Sequence, residues 1–302
     1  MKLSVVVPVF NESSNLDVLY HRLVPAIESI TEDFELIWVN DGSHDDSLKK
    51  MKSLAGQDSR LKWIDLSRNF GHQKAISAGI DFASGQAVVT MDGDLQDPPE
   101  LIPELFEKWQ SGFDVVYARR TSRKGEKIYK KVTAFVFYRL LRWISSVDIP
   151  TDVGDFRIID QKVARVLKRM PERNKYLRGQ IAWMGFSFGF VSFERDERHT
   201  GSSAYSFGQM VNLALNGIFG FSKLPIRLLW WVSGILMFFT IGGLLFEIFD
   251  LYPLPQSGII LSLTFLFSLQ WAGLALIGEY IYRLFDAQRQ RPDYIVNETN
   301  CT

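Results

Sequence analysis

Acidic residues gather where an apolar run ends. Ala87-Val-Val-Thr-Met91 is followed by Asp92-Gly-Asp-Leu-Gln-Asp97, with a glycine between the first two acids. Carboxylates at that spacing, just beyond a strand, can both turn toward one hard cation, and Gly93 allows a tight backbone between them. Gln96 offers the same ion a neutral oxygen. A divalent cation, Mg2+ or Mn2+, held by Asp92, Asp94 and Gln96 would bridge to a diphosphate and neutralise charge on a nucleotide leaving group. Oxygen ligands suit both metals. Taken alone, D-x-D is a short pattern, common in turns. Asp97 has another reading: Asp97-Pro-Pro-Glu100 has the cap, first-turn prolines and third-position acid of a capping box. None of the four histidines has metal-ligand spacing, and His72 reads as a helix start.

The elements that must place these acids follow from periodicity. Lys2 to Phe10 is a β-branched apolar run, followed by Asn11-Glu-Ser-Ser-Asn15 and a helical spacing at Leu16, Leu19, Leu23 and Ile27. The pattern returns as Phe34 to Val39 with a helix from about Asp45 to Leu54, and as Leu61 to Leu66 with a helix from His72 to Ala83. Ala87 to Met91 precedes a helix from Pro98 to Trp109, and a strand at Asp114 to Ala118 closes the series. Such alternation predicts an α/β fold, an open and mostly parallel sheet with helices on both faces. Ligands of such sheets sit at the carboxyl ends of the strands. That is where Asn11 and Glu12, Asp41-Gly-Ser43, Ser67-Arg-Asn-Phe-Gly71 and Asp92-Gly-Asp94 fall. Asp41 reads either as a cap or turn residue or as a binder of base or ribose. Neither G-x-G-x-x-G nor G-x-x-x-x-G-K-[ST] occurs, which argues against a dehydrogenase and a phosphate-loop enzyme.

Beyond Arg119 the alternation stops. Residues 126 to 147 put Val132, Phe135, Val136, Leu140, Trp143 and Ile144 on one side and Lys127, Lys130, Lys131, Arg139 and Arg142 largely elsewhere. A basic amphipathic helix of that kind lies in a membrane interface or faces a core. Ser206 to Ser222 reads as a second interfacial helix. Two further runs, Leu228 to Phe249 and Gly258 to Ile281, approach the ~20 residues a helix needs to cross a bilayer. Lys223 and Arg227 precede them and Arg283, Arg289 and Arg291 follow, while the loop between them has no Lys or Arg. That bias predicts a multi-pass membrane protein whose outer flanks, and so the globular domain and both termini, face the cytoplasm. Trp230, Trp231, Tyr252, Tyr280 and Tyr282 fit interfacial positions. Small residues Gly234, Gly242, Gly243, Gly273 and Gly278 offer faces for a homo-oligomer.

With 34 basic and 34 acidic side chains the net charge is zero, which provides no global attraction for nucleic acid. One cysteine, Cys301, excludes a disulfide framework within the chain and fits a reducing compartment. The chain opens on a strand-like run, so a cleavable signal peptide is not expected.

The stretches VVVPVFNE, VNDGSHDDS, SRNFGHQKAISAGIDFASG and MDGDLQDPPELIPEL together resemble the successive motifs of family 2 inverting glycosyltransferases of GT-A fold. The polyisoprenyl-phosphate glycosyltransferases, among them the bactoprenol glucosyltransferases and dolichol-phosphate mannose synthases, are the most similar branch. The likeness covers roughly residues 3 to 208, and the two apolar runs match the membrane-anchored bacterial branch. It implies a GT-A core at 1–125, an acceptor-side region at 126–222, two transmembrane helices at 223–285 and a cytoplasmic tail at 286–302. It also implies transfer of one hexose, glucose from UDP-glucose, to undecaprenyl phosphate for the cell envelope, and a functional link to a flippase.

By the same resemblance Pro8, Phe10, Glu12, Asp41, Asn69 and Asp92 hold the nucleotide sugar, and Asp94 and Asp155 stand at the reacting centre. TDVGDFRIID, residues 151–160, resembles the acceptor-side motif, with Asp155 acting on sugar or acceptor, or pairing with Arg157. ERHTGSSAYSF resembles R-x-x-G-x-S-K-Y but has Ala204 where a lysine is common, which puts part of the phosphate site in doubt. The lipid phosphate would meet Arg119, Arg120, Arg123, Lys127, Arg157, Arg198, Ser203 and Tyr205. Its second pKa near 6 makes it an anion at neutral pH, so no general base is required. Two alternatives stand beside this one. A processive polysaccharide synthase would carry Q-x-x-R-W, where this chain has only Arg139-Leu-Leu-Arg-Trp143; a non-catalytic membrane partner would not need the acids.

Overall fold

The computed structural model describes residues 2–121, 150, 153–170, 172, 175–193, 229, 231–239, 242, 256–289 and 291–301. The chain divides into two compact units. One comprises residues 1–139, 147–210 and 291–302, the other residues 140–146 and 211–290.

The first unit is built on an eight-stranded sheet. In chain order its strands are β1 (Leu3–Val9), β2 (Phe34–Asn40), β3 (Leu61–Leu66), β4 (Ala87–Thr90), β5 (Val115–Arg120), β6 (Val153–Asp160), β7 (Phe188–Phe193) and β8 (Val296–Thr299). Across the sheet the order is β7-β5-β6-β4-β1-β2-β3-β8. Strands β3, β2, β1 and β4 run parallel, as do β5 and β7. Antiparallel β6 lies between β4 and β5, and β8 pairs antiparallel with β3 at the edge. The mostly parallel α/β sheet expected from the alternation is present, and it is mixed.

Helices cover both faces. On one face α1 (Leu16–Glu28), α2 (Ser47–Gln57) and α4 (Ile102–Gln110) turn Leu16, Leu19, Leu23, Met51, Ile102 and Leu105 onto Val5, Val7 and Val9. On the other, α3 (His72–Phe82), α5 (Gln161–Arg169) and α6 (Leu177–Trp183) turn Ile76, Val163 and Ile181 onto Val6, Ile37 and Ile159. Strand residues buried on both faces read as continuous apolar runs. Gly79 in α3 is needed for this packing, since a Cβ there would lie 2.2 Å from Val6 Cγ1.

The helical turn begins one residue later than the capping box expected at Asp97 requires. The turn Pro99–Leu101 has Pro98 at its N-cap with no side-chain cap bond. Asp97 is instead wholly buried, its Oδ2 3.5 Å from the Asp92 amide and its Oδ1 3.7 Å from Arg120.

In the second unit, residues 231–239 are helical and α7 spans Gln256–Gln288, 33 residues. Counted over the described residues, no helix is long and apolar enough to cross a membrane. Half of the first expected span, residues 228–249, falls outside those residues; the second lies within α7. Of the small residues read as association faces, a Cβ added at Gly273 would lie 3.7 Å from Leu229 Cδ2, whereas one at Gly234, Gly242 or Gly278 would meet open space; Gly243 lies outside the described residues. So do both expected interfacial helices, apart from the residues flanking them.

Candidate active site

Strand β1 has parallel neighbours on both sides, β2 and β4, so its carboxyl end opens onto a crevice lined by the loops that follow all three. Asn11 leaves β1 with φ 55° and is fixed by the loop after β2: its amide donates to Ser43 Oγ at 3.0 Å and its Oδ1 accepts from the His44 amide at 2.8 Å. The amides of Glu12 and Ser13 donate to Ser47 Oγ and Asp45 Oδ2, each at 3.0 Å. Phe10, 42% exposed, stands edge-on to His44 with ring centroids 6.4 Å apart, an aromatic corner open to a flat ring.

Asp41 is buried and accepts from the amides of Phe70 at 2.7 Å and Gly71 at 3.0 Å. Burial raises its pKa, against the pull of those two bonds and of His72 and Arg68. Its turn-building reading is therefore realised, since both oxygens hold the β3–α3 loop. Gly42 completes the junction with φ +66°: a Cβ there would lie 2.5 Å from Arg68 C and Asn69 N. Asn69 belongs to this close contact. Pro8 is reached by the loop after β4, where a Cβ on Gly93 would lie 3.2 Å from the Pro8 carbonyl oxygen. The glycine between the two acids is thus required by close approach of a neighbouring strand.

In that loop Asp94 is nearly buried, and its Oδ1 accepts from the Gln96 amide at 3.1 Å. Leu95 between them has φ 62°, an uncommon conformation for a bulky side chain. Asp92 has a buried oxygen, Oδ1, that accepts no hydrogen bond. His72, the first residue of α3, puts Nε2 3.3 Å from Asp92 Oδ1 and 3.3 Å from Asp155 Oδ2. Burial lowers the His72 pKa, but Asp92 and Asp155 outweigh it and hold the imidazole well above its usual value.

Asp155 lies on β6, whose antiparallel register sets Arg157 opposite Thr90. Its Oδ1 accepts from Arg157 at 2.9 Å and from Arg178 Nε at 3.2 Å; its Oδ2 accepts from Gln73 Nε2 at 3.0 Å and from Arg178 at 3.1 Å. Burial raises the Asp155 pKa, and Arg178, His72 and Arg157 together bring it well below the usual carboxylate range. A carboxylate so held is a poor proton acceptor. The structure therefore joins Asp92 to Asp155 through His72 and sets Gln73 and Arg178 on Asp155, three residues that sequence reasoning did not assign to the site. His72 and Gln73 sit in a quoted motif; nothing in the sequence marks Arg178.

The expected phosphate-binding residues divide. Arg157 is 1% exposed and pairs with Asp155 at 2.9 Å, so it braces that carboxylate. Arg119 stacks over Phe190 at 3.4 Å from the ring centroid, and Arg120 pairs with Asp97 close above Gly154. Arg123, Lys127, Arg198, Ser203, Tyr205 and Ala204 lie outside the described residues.

A divalent cation was expected on Asp92, Asp94 and Gln96. Among the described residues no group of three or more His, Cys, Asp or Glu is gathered to hold a metal ion. Asp92 Oδ1, which has His72 Nε2 at 3.3 Å and accepts no hydrogen bond, is an oxygen of the type hard cations take. Asp94 stands two residues further along the same loop.

A family model described as Glycosyl transferase family 2 matches residues 4–167. The chain is 45% identical over 307 residues to an uncharacterized glycosyltransferase, YkcC, of Bacillus subtilis (strain 168), covering 99% of this chain and 94% of that one. It is 37% identical over 306 residues to the SfII prophage-derived bactoprenol glucosyl transferase of Shigella flexneri, covering 99% of each. Among solved structures, a Mycobacterium tuberculosis glucosyl-3-phosphoglycerate synthase in complex with Mn2+, UDP-glucose and phosphoglyceric acid superposes with TM-score 0.48 at 16% identity, over 72% of this chain and 79% of that one.

Proposed function

Since the chain belongs to glycosyl transferase family 2 and is a glycosyltransferase, we propose that it transfers a single glucose from UDP-glucose to undecaprenyl phosphate with inversion. The observation that carries the acceptor is the likeness to a protein named bactoprenol glucosyl transferase, which runs through 99% of both chains and so beyond the region matched by the family model.

The chemistry of the site supports the same reading. A sugar hydroxyl must lose a proton as it attacks, which calls for a base near the reacting carbon. Asp155, with both oxygens occupied by cationic and amide donors and its pKa depressed, does not supply one. A phosphate monoester brings its own anionic oxygen. On this reading the Phe10–His44 corner and the loops around Asn11, Glu12, Asp41 and Asn69 hold the nucleoside. Asp155 holds Arg178 and His72 in place; Arg178 faces the phosphates, and His72 positions Asp92. Arg178, its side chain 24% exposed, takes the acceptor contact that Arg157 is too deeply buried to make. Asp92 and Asp94 are the residues that would hold a divalent cation, Mg2+ or Mn2+, which when bound stabilises the departing diphosphate.

We read the second unit as a membrane anchor in the inner membrane. What supports this is the apolar surface of α7, where Phe265, Phe267, Trp271 and Leu284 are 60% or more exposed. Contiguous apolar surface of that extent marks contact with lipid or protein. Lys223 and Arg227 before the apolar runs and Arg283, Arg289 and Arg291 after them, with no Lys or Arg in the loop between, favour both flanks on the cytoplasmic side.

The acceptor is tested by supplying purified protein with UDP-[14C]glucose and, in separate reactions, undecaprenyl phosphate or undecaprenol. Label is expected only in the phosphorylated lipid. Equal labelling of the free alcohol would overturn the phosphate reading, and labelling from another nucleotide sugar alone would replace the donor.

A further inference from the structure

The edge strand β8 has an irregularity that sugar transfer does not itself demand. Asp65 faces Glu298 and Leu66 faces Val296, so Asn297 is the extra residue of a bulge. Bulges bend a strand and re-aim a side chain. Here Asn297 Nδ2 donates to Asp65 Oδ2 at 2.9 Å, and Asn40 Nδ2 donates to the other oxygen of Asp65 at 2.7 Å. Asp65 and Asn40 are buried neighbours in the β2–β3 register. Asn40 Oδ1 accepts from the Ser43 amide at 3.2 Å, and Ser43 Oγ accepts from the Asn11 amide at 3.0 Å. One strand position away, the Ile295 carbonyl accepts from the Ser67 amide at 2.9 Å, at the start of the loop that Asp41 holds.

We propose that the C-terminal strand is a working part of the donor site, with Asn297 the positioning residue that sets the loops after β1 and β2 through Asp65 and Asn40. This rests on the reading that those loops hold the nucleotide sugar. The physical reason is the demand of a buried carboxylate for donors. With Asn297 removed, Asp65 Oδ2 loses its amide and draws on the nearest movable one, that of Asn40. Rotation of Asn40 in turn releases the Ser43 amide and loosens its hold on Asn11. The strand itself stays docked, because Glu298 pairs with Lys52 at 2.5 Å, Thr299 Oγ1 donates to the Trp63 carbonyl at 2.8 Å and Tyr294 donates to Asp81 at 2.8 Å. The effect should therefore fall on donor affinity while the fold is kept.

The test uses the full-length protein with Asn297→Ala, and with Thr299→Val as a matched loss of one strand bond outside the relay. Asn297→Ala should raise the KM for UDP-glucose about fivefold, equivalent to about 1 kcal/mol, with kcat within about twofold; Thr299→Val should leave both near wild type. Amide hydrogen exchange at Ser43 and His44 should quicken in Asn297→Ala only. An unchanged KM, or equal changes in both variants, overturns the proposal. Should the wild type bind no UDP-glucose in calorimetry, the donor reading fails, and hydrogen exchange still decides the relay: unaltered exchange at Ser43 and His44 overturns it.

Discussion

Replacing Asp155 by Asn tests how the centre of the site is held. The substitution keeps the shape of the side chain and removes the charge that faces Arg157, Arg178 and His72. Arg157 suffers most, because it is 1% exposed, one of its terminal nitrogens already lacks a hydrogen-bond partner, and its ion pair among the described residues is with Asp155. Breaking a buried pair by removing one partner costs about 3–5 kcal/mol. For a unit of this size that lowers Tm by roughly 6–20 °C, at ~2–4 °C per kcal/mol. Arg157→Met should cost less, since Asp155 would keep Arg178, His72 and Gln73. The double variant Asp155→Asn/Arg157→Met removes the stranded guanidinium and should regain most of the lost Tm. Glucose transfer should stay low, because Arg178 and His72 would still lack their carboxylate. Thermal unfolding and transfer rates on the three variants make the comparison. Recovery of activity along with Tm would refute the reasoning, by showing that Asp155 serves only to neutralise Arg157.

Other outcomes follow from the same geometry. Arg178→Lys discards the planar fork that spans both oxygens of Asp155 and should lower kcat about tenfold to a hundredfold, as expected for a charged hydrogen bond of about 1.5–3 kcal/mol, with Tm nearly unchanged; a wild-type kcat would remove Arg178 from the site. Gly42→Ala forces a Cβ to within 2.5 Å of the Arg68–Asn69 backbone at φ +66° and should cost more than ~2 kcal/mol while raising the KM for donor; a normal Tm and KM would count against the loop packing. Burial pushes the Glu35 carboxyl up, but bonds from Lys62, Ser4 and Ser84 prevail and bring it from 4.5 to about 2. A depressed pKa adds stability that is complete above about pH 4.5 and fades as pH falls toward about 2, here ~3 kcal/mol at neutral pH. Urea unfolding should therefore show Glu35→Gln less stable by about that amount at pH 7 and a shrinking gap below pH 4; a constant gap would contradict the assignment.

How much of this was legible in the sequence depended on how openly each element showed its periodicity. β1 to β5 and the helices between them are apolar runs alternating with helical spacing, and that alternation is their physical cause. β6 was hidden because its inward side chains include Asp155 and Arg157, charges that pair inside the sheet and interrupt any apolar pattern. β8 is polar, exposed along most of its length and one residue out of register, so Val-Asn-Glu-Thr carries no strand signal of its own. The acids after β4 were visible at the correct sheet edge, but their surroundings were not. His72 and Arg178 come from elements distant in sequence, and only the placing of α3 and α6 on one face of the sheet brings them to Asp155. At Asp97 the local motif gave no sign of the residue's complete burial beside Arg120.

The central claim is glucose transfer to undecaprenyl phosphate at the site that contains Asp92. The most direct measurement is the rate at which label passes from UDP-[14C]glucose into undecaprenyl phosphate, for wild type and Asp92→Ala side by side, with circular dichroism confirming that both are folded. The account predicts steady transfer by the wild type and a loss of at least about a hundredfold in the variant, the scale set by removing an electrostatic group from a reacting centre. Equal rates, or a folded wild type that transfers no glucose to this lipid, would contradict it.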